Sequence, residues 1–424
     1  MAQHADSMNG FKFMLRALRY RNYRLYFLGQ SVSLNGSWMQ MIAISWLIYR
    51  LTNSAFLLGA IGFISQIPAF IFSPFAGVFV DRWNRRKIIF ITQTLLMVQA
   101  FLFAVLTFTG VIKVWHIVFL SVFMGLVNSF DMPARQAFVI DMVEKKEDLG
   151  NAIALNSSIF NGSRLVGSSL AGVVIAVLGE AICFLLNALS FLAVIFALWA
   201  MKIKRREMHN KNNILQELKE GFSYVVGFAP IRYILLLVVL VSMLGMSCAA
   251  LMPIFAKDIL HGGAHTLGFL MGAIGLGALV GALHLASRKD VRGMEKIIPK
   301  STIIFGISLI AFSFCNLLWL SLFLAISIGF GMMAQTVASN TLLQNIADDD
   351  KRGRVMSFYT IAFAGMMPFG SLIAGSLASK VGAANTLLIS GLSCILGAVF
   401  FAGKLRTIDE AISGLDDQKF KDIG

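Results

Sequence analysis

Twelve apolar runs, each near or above the length needed to cross a bilayer, alternate with short polar stretches along the chain. They predict helices at roughly 24–49, 55–80, 88–110, 114–140, 150–178 and 180–201, and a second set at roughly 231–256, 264–287, 299–315, 317–345, 353–380 and 384–404, since a spanning helix needs about 20 residues. A closed barrel is excluded. Its strands would alternate apolar and polar positions in segments of about ten residues, whereas these runs are longer and apolar on every side. The polar stretch from Lys202 to Pro230 divides the helices six and six. Within it Ile214, Leu215, Leu218, Phe222, Val225 and Val226 recur at helical spacing, with Gln216, Glu217, Lys219 and Glu220 between them. The pattern reads as an amphipathic helix on the inner membrane face, the alternative being a solvated linker. The expected organisation is a cytoplasmic N-terminal segment (1–23), a six-helix bundle (24–201), the linker (202–230), a second six-helix bundle (231–404) and a cytoplasmic tail (405–424).

The two sets are related internally. A displacement of 203 residues brings Gly353 onto Gly150, Gly365 onto Gly162, Gly370 onto Gly167, Ser371 onto Ser168, Ala374 onto Ala171, Gly375 onto Gly172 and Gly382 onto Gly179, in the fifth helix of each set. Asp81 and Asp290 form a weaker echo at the inner ends of helices 2 and 8. Repeated halves with small-residue faces for close helix contact follow the repeat logic of secondary transporters. The fold class expected is an all-α membrane protein with twelve transmembrane helices in two pseudo-symmetric six-helix bundles.

Composition agrees: 57% of the residues are hydrophobic and 14% charged, against about 45–50% and about 25% in soluble domains. A soluble enzyme, a disordered chain and a nucleic-acid-binding domain are excluded as first readings. The net charge of +14 is distributed by topology. With the N-terminus inside, the inner segments and adjoining span ends hold 31 of the 36 Lys and Arg residues, the outer loops hold Arg50, Lys113, Lys257 and Lys380, and Arg164 lies within a span. Inner loops of membrane proteins carry such an excess, so both termini are expected in the cytoplasm. A nucleic-acid surface would instead gather its basic residues, with stacking aromatics, on one folded face. The first 23 residues have no apolar core, so no cleavable signal peptide is expected and the first span directs insertion. Cys183, Cys248, Cys315 and Cys394 are isolated in apolar runs and read as small buried hydrophobes.

The stretch Gly77-x-x-x-Asp81-Arg82-x-x-Arg85-Arg86 resembles the signature loop of the major facilitator superfamily, between helices 2 and 3. Asp131-Met-Pro133-Ala134-Arg135-Gln136-Ala137 is similar to a pattern of the drug and siderophore exporter branch, which includes enterobactin and macrolide exporters. So are Asn156, Asn161, Arg164, Gly167, Ala171 and Gly172 on helix 5, and Glu217 to Gly221 leading to Pro230. The resemblance extends to about residue 404. It implies alternating access, a cavity lined by helices 1, 4, 7 and 10, and a signature loop that acts as a cytoplasmic latch. Helix 5 resembles the antiporter motif of drug–proton exchangers, with Ser168 in place of the usual Pro, a departure that weakens the antiport implication without removing it. On the duplicated helix a proline stands at Pro368.

Asp131 alone among the acidic residues lies well inside a span, where a charge costs a few kcal/mol unless it faces the bundle. It is about 14 Å from the inner edge and Arg164 about 21 Å, a height difference of about 7 Å, within reach of one Arg side chain. Arg135 lies one turn from Asp131 on the same face. Asp131, Arg135 and Arg164 are therefore the candidate proton-coupling residues, the alternative being a permanent structural ion pair between helices 4 and 5. The candidate gating residues are Gly77, Asp81, Arg82, Arg85 and Arg86. Candidate cavity residues are the polar side chains Asn35, Gln40, Asn128, Asn161, Gln335 and Asn340, together with Met246; each polar one taken alone reads more readily as an interhelical hydrogen bond than as a ligand contact. Phe63, Phe130, Met332, Met333 and Phe358 offer an adaptable apolar wall.

His261 and His265 lack further partners for a metal site, His284 reads as structural, and no nucleotide-binding loop of the Walker type is present. No metal or cofactor is expected. One Asp and one Arg do not make the cluster that catalysis needs, so an enzyme is not expected either, and a sensor would carry a soluble domain. The expected activity is export of an amphipathic small molecule, a siderophore or a drug, across the bacterial inner membrane by proton antiport, the alternative being a lipid or lysophospholipid flippase. The expected partners are the substrate, protons and membrane lipids, without nucleic acid, and the chain is expected to be a monomer.

Overall fold

A computed structural model of the chain describes residues 15–201, 224–288, 293–348 and 351–409. The expected amphipathic helix of the linker falls largely within 202–223, and Asp290 within 289–292; both lie outside the described residues, as do 1–14 and 410–424. After a short 3₁₀ turn at Arg16–Arg19 come α1 (Arg21–Thr52), α2 (Ala55–Arg82), α3 (Arg85–Phe108), α4 (Val114–Met142), α5 (Leu149–Leu178) and α6 (Glu180–Ala200). Then follow α7 (Ala229–Ile259), α8 (Ala264–Ala286), α9 (Met294–Ser313), α10 (Leu318–Ile346), α11 (Arg352–Val381) and α12 (Ala383–Ala402). No strand occurs among the described residues.

Eleven of these helices are long and apolar enough to span a membrane. The other is α1, where Gln30, Ser33 and Gln40 lower the mean hydropathy; all three are buried, while Leu28, Val32 and Met41 of the same helix are exposed. Polar groups turned inward and apolar groups outward suit a lipid surround, where a backbone must satisfy its own hydrogen bonds. Trp199, Val177 and Trp319 are likewise exposed. The chain is a multi-pass membrane protein.

One helix start differs from the sequence expectation. Helix α9 begins at Met294 rather than at Pro299. Proline favours a first turn, but at the sixth helical position it forfeits only the bond to the Glu295 carbonyl, and Glu295 in the first turn favours the N-terminal dipole. Two helices carry irregular turns. In α7, π-helical segments at Val241–Gly245 and Phe255–Ile259 flank Pro253. In α11, a π-helical segment at Ile361–Gly365 precedes Pro368. A proline removes one backbone donor, and the widened turn absorbs the register change. Helix α5, with Ser168 at the place of the missing proline, is regular throughout.

The chain divides into two compact units. Unit 1 comprises Met1–Leu51, Ile64–Asn210 and Gly263–Gly268; unit 2 comprises Thr52–Phe63, Lys211–Gly262 and Phe269–Gly424. In unit 1, Tyr23, Tyr26, Ile89, Phe138, Val139, Val194 and Leu198 form the core at one end of the helices, and Leu96, Ala100, Val127, Ala188 and Phe191 continue it. Within this unit Gly167 of α5 lies against Asn35 and Trp38 of α1, and Gly172 lies against Gly268 at the start of α8. Unit 2 repeats this arrangement: Gly370 of α11 lies against Met243 and Ser247 of α7, and Gly375 lies against Gly59 at the start of α2. Of the repeated glycines, Gly167, Gly172, Gly370 and Gly375 are therefore points where helices approach backbone to backbone, while Gly150, Gly162 and Gly353 meet nothing within 4 Å. Gly179 and Gly382, the last of the repeated pairs, both end their helices at φ +86°, a conformation that favours glycine.

The two ends of unit 1 are tied by charge. Arg50 Nε lies 2.7 Å from Glu180 Oε1, joining the end of α1 to the start of α6. At the other end Asp148, just before α5, accepts from the Tyr20 hydroxyl at 2.6 Å and pairs with Arg16 and Arg19. The Tyr20 hydrogen bond, with the charges of Arg19 and Arg16, holds the Asp148 carboxyl below the ordinary carboxylate value. A lowered pKa contributes stability that is present above the unfolded value and lost as pH falls through the folded one. Asp148→Asn is therefore expected to release the 16–20 segment at neutral pH, seen as faster tryptic cleavage at Arg19 and Arg21 with the spans intact, and acidification below about pH 4 is expected to release it in the wild type, seen as faster amide hydrogen exchange of that segment.

Candidate functional site

Asp131 occupies the interior of α4 and is 0% exposed. A carboxylate there needs donors, and α3 supplies two: Thr92 Oγ1 donates to Asp131 Oδ1 at 2.7 Å and Gln93 Nε2 donates to the same oxygen at 2.9 Å. The other oxygen, Oδ2, lies 2.7 Å from Arg135 Nε. That N–H is not aligned along the line to Oδ2, so the contact is one of charge rather than a directed hydrogen bond. Arg135 in turn donates from Nη1 to Gln30 Oε1 of α1 at 3.1 Å. A chain of polar groups thus runs from α3 through α4 to α1. Pro133 sits between Asp131 and Arg135 and leaves the Ser129 carbonyl without its usual helical donor.

Of the two arginines expected beside Asp131, Arg135 forms the pair and Arg164 does not. Arg164 projects from the middle of α5, and its Nε and Nη2 are buried with no acceptor among the described residues. Depth alone allowed the Arg164 pair; the side of α4 that carries Asp131 is turned to α3.

In the signature loop, α2 runs helically to Arg82, and the side chains of Gly77, Asp81 and Arg82 lie outside the described residues. Asn84 caps α3 by accepting from the Lys87 backbone N–H at 3.2 Å. Arg85 Nη1 donates to the Ala137 carbonyl at 3.1 Å and pairs with Asp141 at 3.2 Å, tying the start of α3 to the end of α4. Arg86 donates to the Trp199 carbonyl at 3.3 Å, at the end of α6. These two loop cations therefore hold helix ends together within unit 1.

The polar cavity candidates differ in what already occupies them. Gln40 is fully engaged: its Nε2 donates to Gln99 Oε1 at 3.0 Å and its Oε1 accepts from Asn187 Nδ2 at 2.7 Å. Gln99 passes the network on to the Leu120 carbonyl. Asn35 donates to the Ser31 carbonyl at 2.7 Å and to Ser163 Oγ at 3.1 Å, but its buried Oδ1 has no donor. Asn161 is buried and donates to the Ser157 carbonyl of its own helix. Asn128 is half-buried on α4. In unit 2, buried Gln335 donates to Ser339 Oγ at 3.2 Å, Asn340 accepts from Gln344 at 2.6 Å, and Met246 is buried in the irregular part of α7.

Thr92, Gln93, Gln30 and Asp141 complete the site and were not among the candidates. Their signal in the sequence is slight: a Thr-Gln pair and a lone Gln in otherwise apolar spans, and an acid at a span end. Among the described residues, no group of three or more His, Cys, Asp or Glu is placed to hold a metal ion.

The chain is 25% identical to the staphyloferrin A transporter of Staphylococcus aureus (strain NCTC 8325 / PS 47), over 87% of this chain and 93% of that one. It is 24% identical to the macrolide efflux protein A of Streptococcus pyogenes, over 92% and 99%, and 25% identical to a multidrug efflux pump of Mycolicibacterium fortuitum, over 89% and 94%. Among solved structures, a bacterial homologue of the human lysosomal transporter Spinster, inward-facing and unoccupied, gives a TM-score of 0.69 at 14% identity, covering 92% of this chain and 98% of that one. A D-xylose–proton symporter gives 0.68 at 15% identity, covering 92% and 97%. At those identities the structures share the fold alone. Residues 14–420 match the family described as transmembrane secretion effector, and the chain belongs to that family, as a transporter of the major facilitator superfamily.

Proposed function

We propose that the chain exports an amphipathic small molecule, a siderophore or a drug, across the bacterial inner membrane in exchange for protons, by alternating access of two six-helix bundles with both termini in the cytoplasm. The observation that supports this reading best is Asp131: a wholly buried carboxylate held by two donors of α3 and one cation of its own helix. Ionised, it binds α3 to α4 and neutralises Arg135. Protonated, it keeps at most neutral hydrogen bonds, and Arg135 retains Gln30 as its partner. Charge-assisted hydrogen bonds are roughly twice as strong as neutral ones, so a proton on Asp131 loosens the α3–α4 seam. The groups facing Asp131 are Thr92 and Gln93 from α3 and Arg135 from α4, with Tyr26 and Gln30 of α1 facing Arg135. A proton entering from outside is thereby coupled to the packing of two helices. The siderophore and drug substrates are suggested by the names of the relatives, and a small-molecule cargo by the family. The gating role falls to Asp81 and Arg82 with Arg85 and Arg86, the last two already bridging helix ends.

The test is accumulation of fluorescent drugs and of candidate siderophores in cells with and without the protein, with and without a proton uncoupler. Lower accumulation that the uncoupler reverses is expected for at least one compound. If neither the protein nor the uncoupler changes accumulation of any of them, export of those compounds is excluded.

A further inference from the structure

Arg164 has no part in the proton site as built, yet it is a costly residue to keep in the middle of a thirty-residue span. Its two unpartnered buried atoms are Nε and Nη2. These are the two donors on one edge of the guanidinium, the edge that grips a carboxylate with two parallel hydrogen bonds. The face it occupies is also informative. At about 100° per residue, Arg164 shares a side of α5 with Ser157, Asn161 and Ser168. Val166, Leu170, Val173 and Val177, all exposed and apolar, lie about 180° away on the opposite side. Arg164 therefore lies opposite that apolar stripe, on a side that carries exposed Ser157 together with exposed Ile153 and Phe160. Two further polar atoms are buried without a partner among the described residues: Ser168 Oγ, one turn on from Arg164, and Asn35 Oδ1 of α1, whose amide reaches α5 at Ser163, the residue before Arg164.

We propose that Arg164 is a recognition site for an anionic, carboxylate-bearing substrate, with Arg164 Nε and Nη2 gripping the carboxylate and Asn35 Oδ1 accepting from a neighbouring hydroxyl or amide of the same molecule. This rests on the transporter reading above and narrows its substrate class to organic anions. With no acceptor for Arg164 Nε and Nη2 among the described residues, the charge is paired when the anion arrives, which also rejects cationic amphiphiles by repulsion.

The test is fluorescence anisotropy of the full chain in phosphatidylcholine nanodiscs, with carboxyfluorescein as the anionic probe and ethidium as the cationic one. The wild type is expected to bind carboxyfluorescein; Arg164→Gln is expected to weaken that binding at least tenfold. Arg164→Lys, which keeps the charge but not the planar fork, is expected to fall between them. Removing an unpaired buried charge relieves a cost, so Arg164→Gln is expected to melt at or above the wild-type temperature. No carboxyfluorescein binding by the wild type, or equal affinity in Arg164→Gln, overturns the proposal. So does a lower melting temperature of Arg164→Gln, which makes the residue structural. Displacement of the probe by phosphatidylglycerol added to the nanodiscs overturns it in favour of a lipid headgroup. Binding that persists while neither dye is exported in energised vesicles counts against the export reading alone.

Discussion

Asp131→Asn is expected to abolish substrate accumulation driven by a pH gradient while leaving substrate-for-substrate exchange near the wild-type rate. One pH unit is worth about 1.4 kcal/mol per proton, a tenfold ratio. With one proton per substrate, a gradient of about two units supports accumulation of about 100-fold, and in the variant that ratio falls to about one. Exchange survives because the helices still move; only the proton's hold over them is gone. Asparagine keeps the shape and keeps an oxygen for Thr92, and what it loses is the charge opposite Arg135. Removing one partner of a fully buried pair costs about 3–5 kcal/mol, but the Arg135 side chain is 22% exposed and retains Gln30, so the cost here is smaller. Reconstitution in proteoliposomes, with accumulation and exchange measured on the same preparation, separates the two roles. Loss of both together makes Asp131–Arg135 a structural pair; retention of gradient-driven accumulation removes Asp131 from coupling.

The second large effect lies in unit 2. Gly277 of α8 and Gly329 of α10 meet backbone to backbone: a Cβ on Gly277 would stand 1.9 Å from the Ile326 carbonyl oxygen, and a Cβ on Gly329 1.9 Å from that of Ile274. Neither neighbour is a side chain that can turn aside. Gly329→Leu is therefore expected to force the two helices apart, at about 1–3 kcal/mol or more, and to lower the melting temperature and the yield of folded protein in detergent. Gly329→Ala has the same sign and a smaller size. Gly162→Ala is the contrast, because a Cβ there meets nothing within 4 Å, and no loss is expected. Equal melting temperatures for Gly329→Leu and wild type would show that the α8–α10 contact does not hold the unit together.

The spans were legible because lipid imposes a uniform demand on every residue of a helix, and twelve apolar runs answer it. The repeat was legible because glycines at fixed offsets mark close backbone contacts, and Gly167, Gly172, Gly370 and Gly375 do lie at such contacts. Counting residues along the helices gives Asp131 and Arg164 different heights. What counting does not give is azimuth between helices. Asp131 is one turn from Arg135 and faces Thr92 and Gln93, so the partner within its own helix was predictable and the two from α3 were not. The same limit applies to Gln40. A polar side chain in an apolar span signals an inward direction, and not whether it meets a ligand or, as found, Gln99 and Asn187. Helix α8 has glycines at 268, 272, 275, 277 and 281, and nothing in their spacing singles out Gly277 as the one pressed against Ile326. Arg164 was conspicuous as a lone cation in a span, but its lack of an acceptor emerges only once α1, α4 and α5 are placed side by side.

Infrared difference spectroscopy of the purified chain in nanodiscs, titrated with acid, tests the proton role of Asp131 most directly. A protonated carboxyl C=O band is expected to appear in the wild type over the pH range in which transport changes, and to be missing from that range in Asp131→Asn. The same band in Asp131→Asn, or none in the wild type across that range, would contradict the assignment of Asp131 as the group that carries the proton.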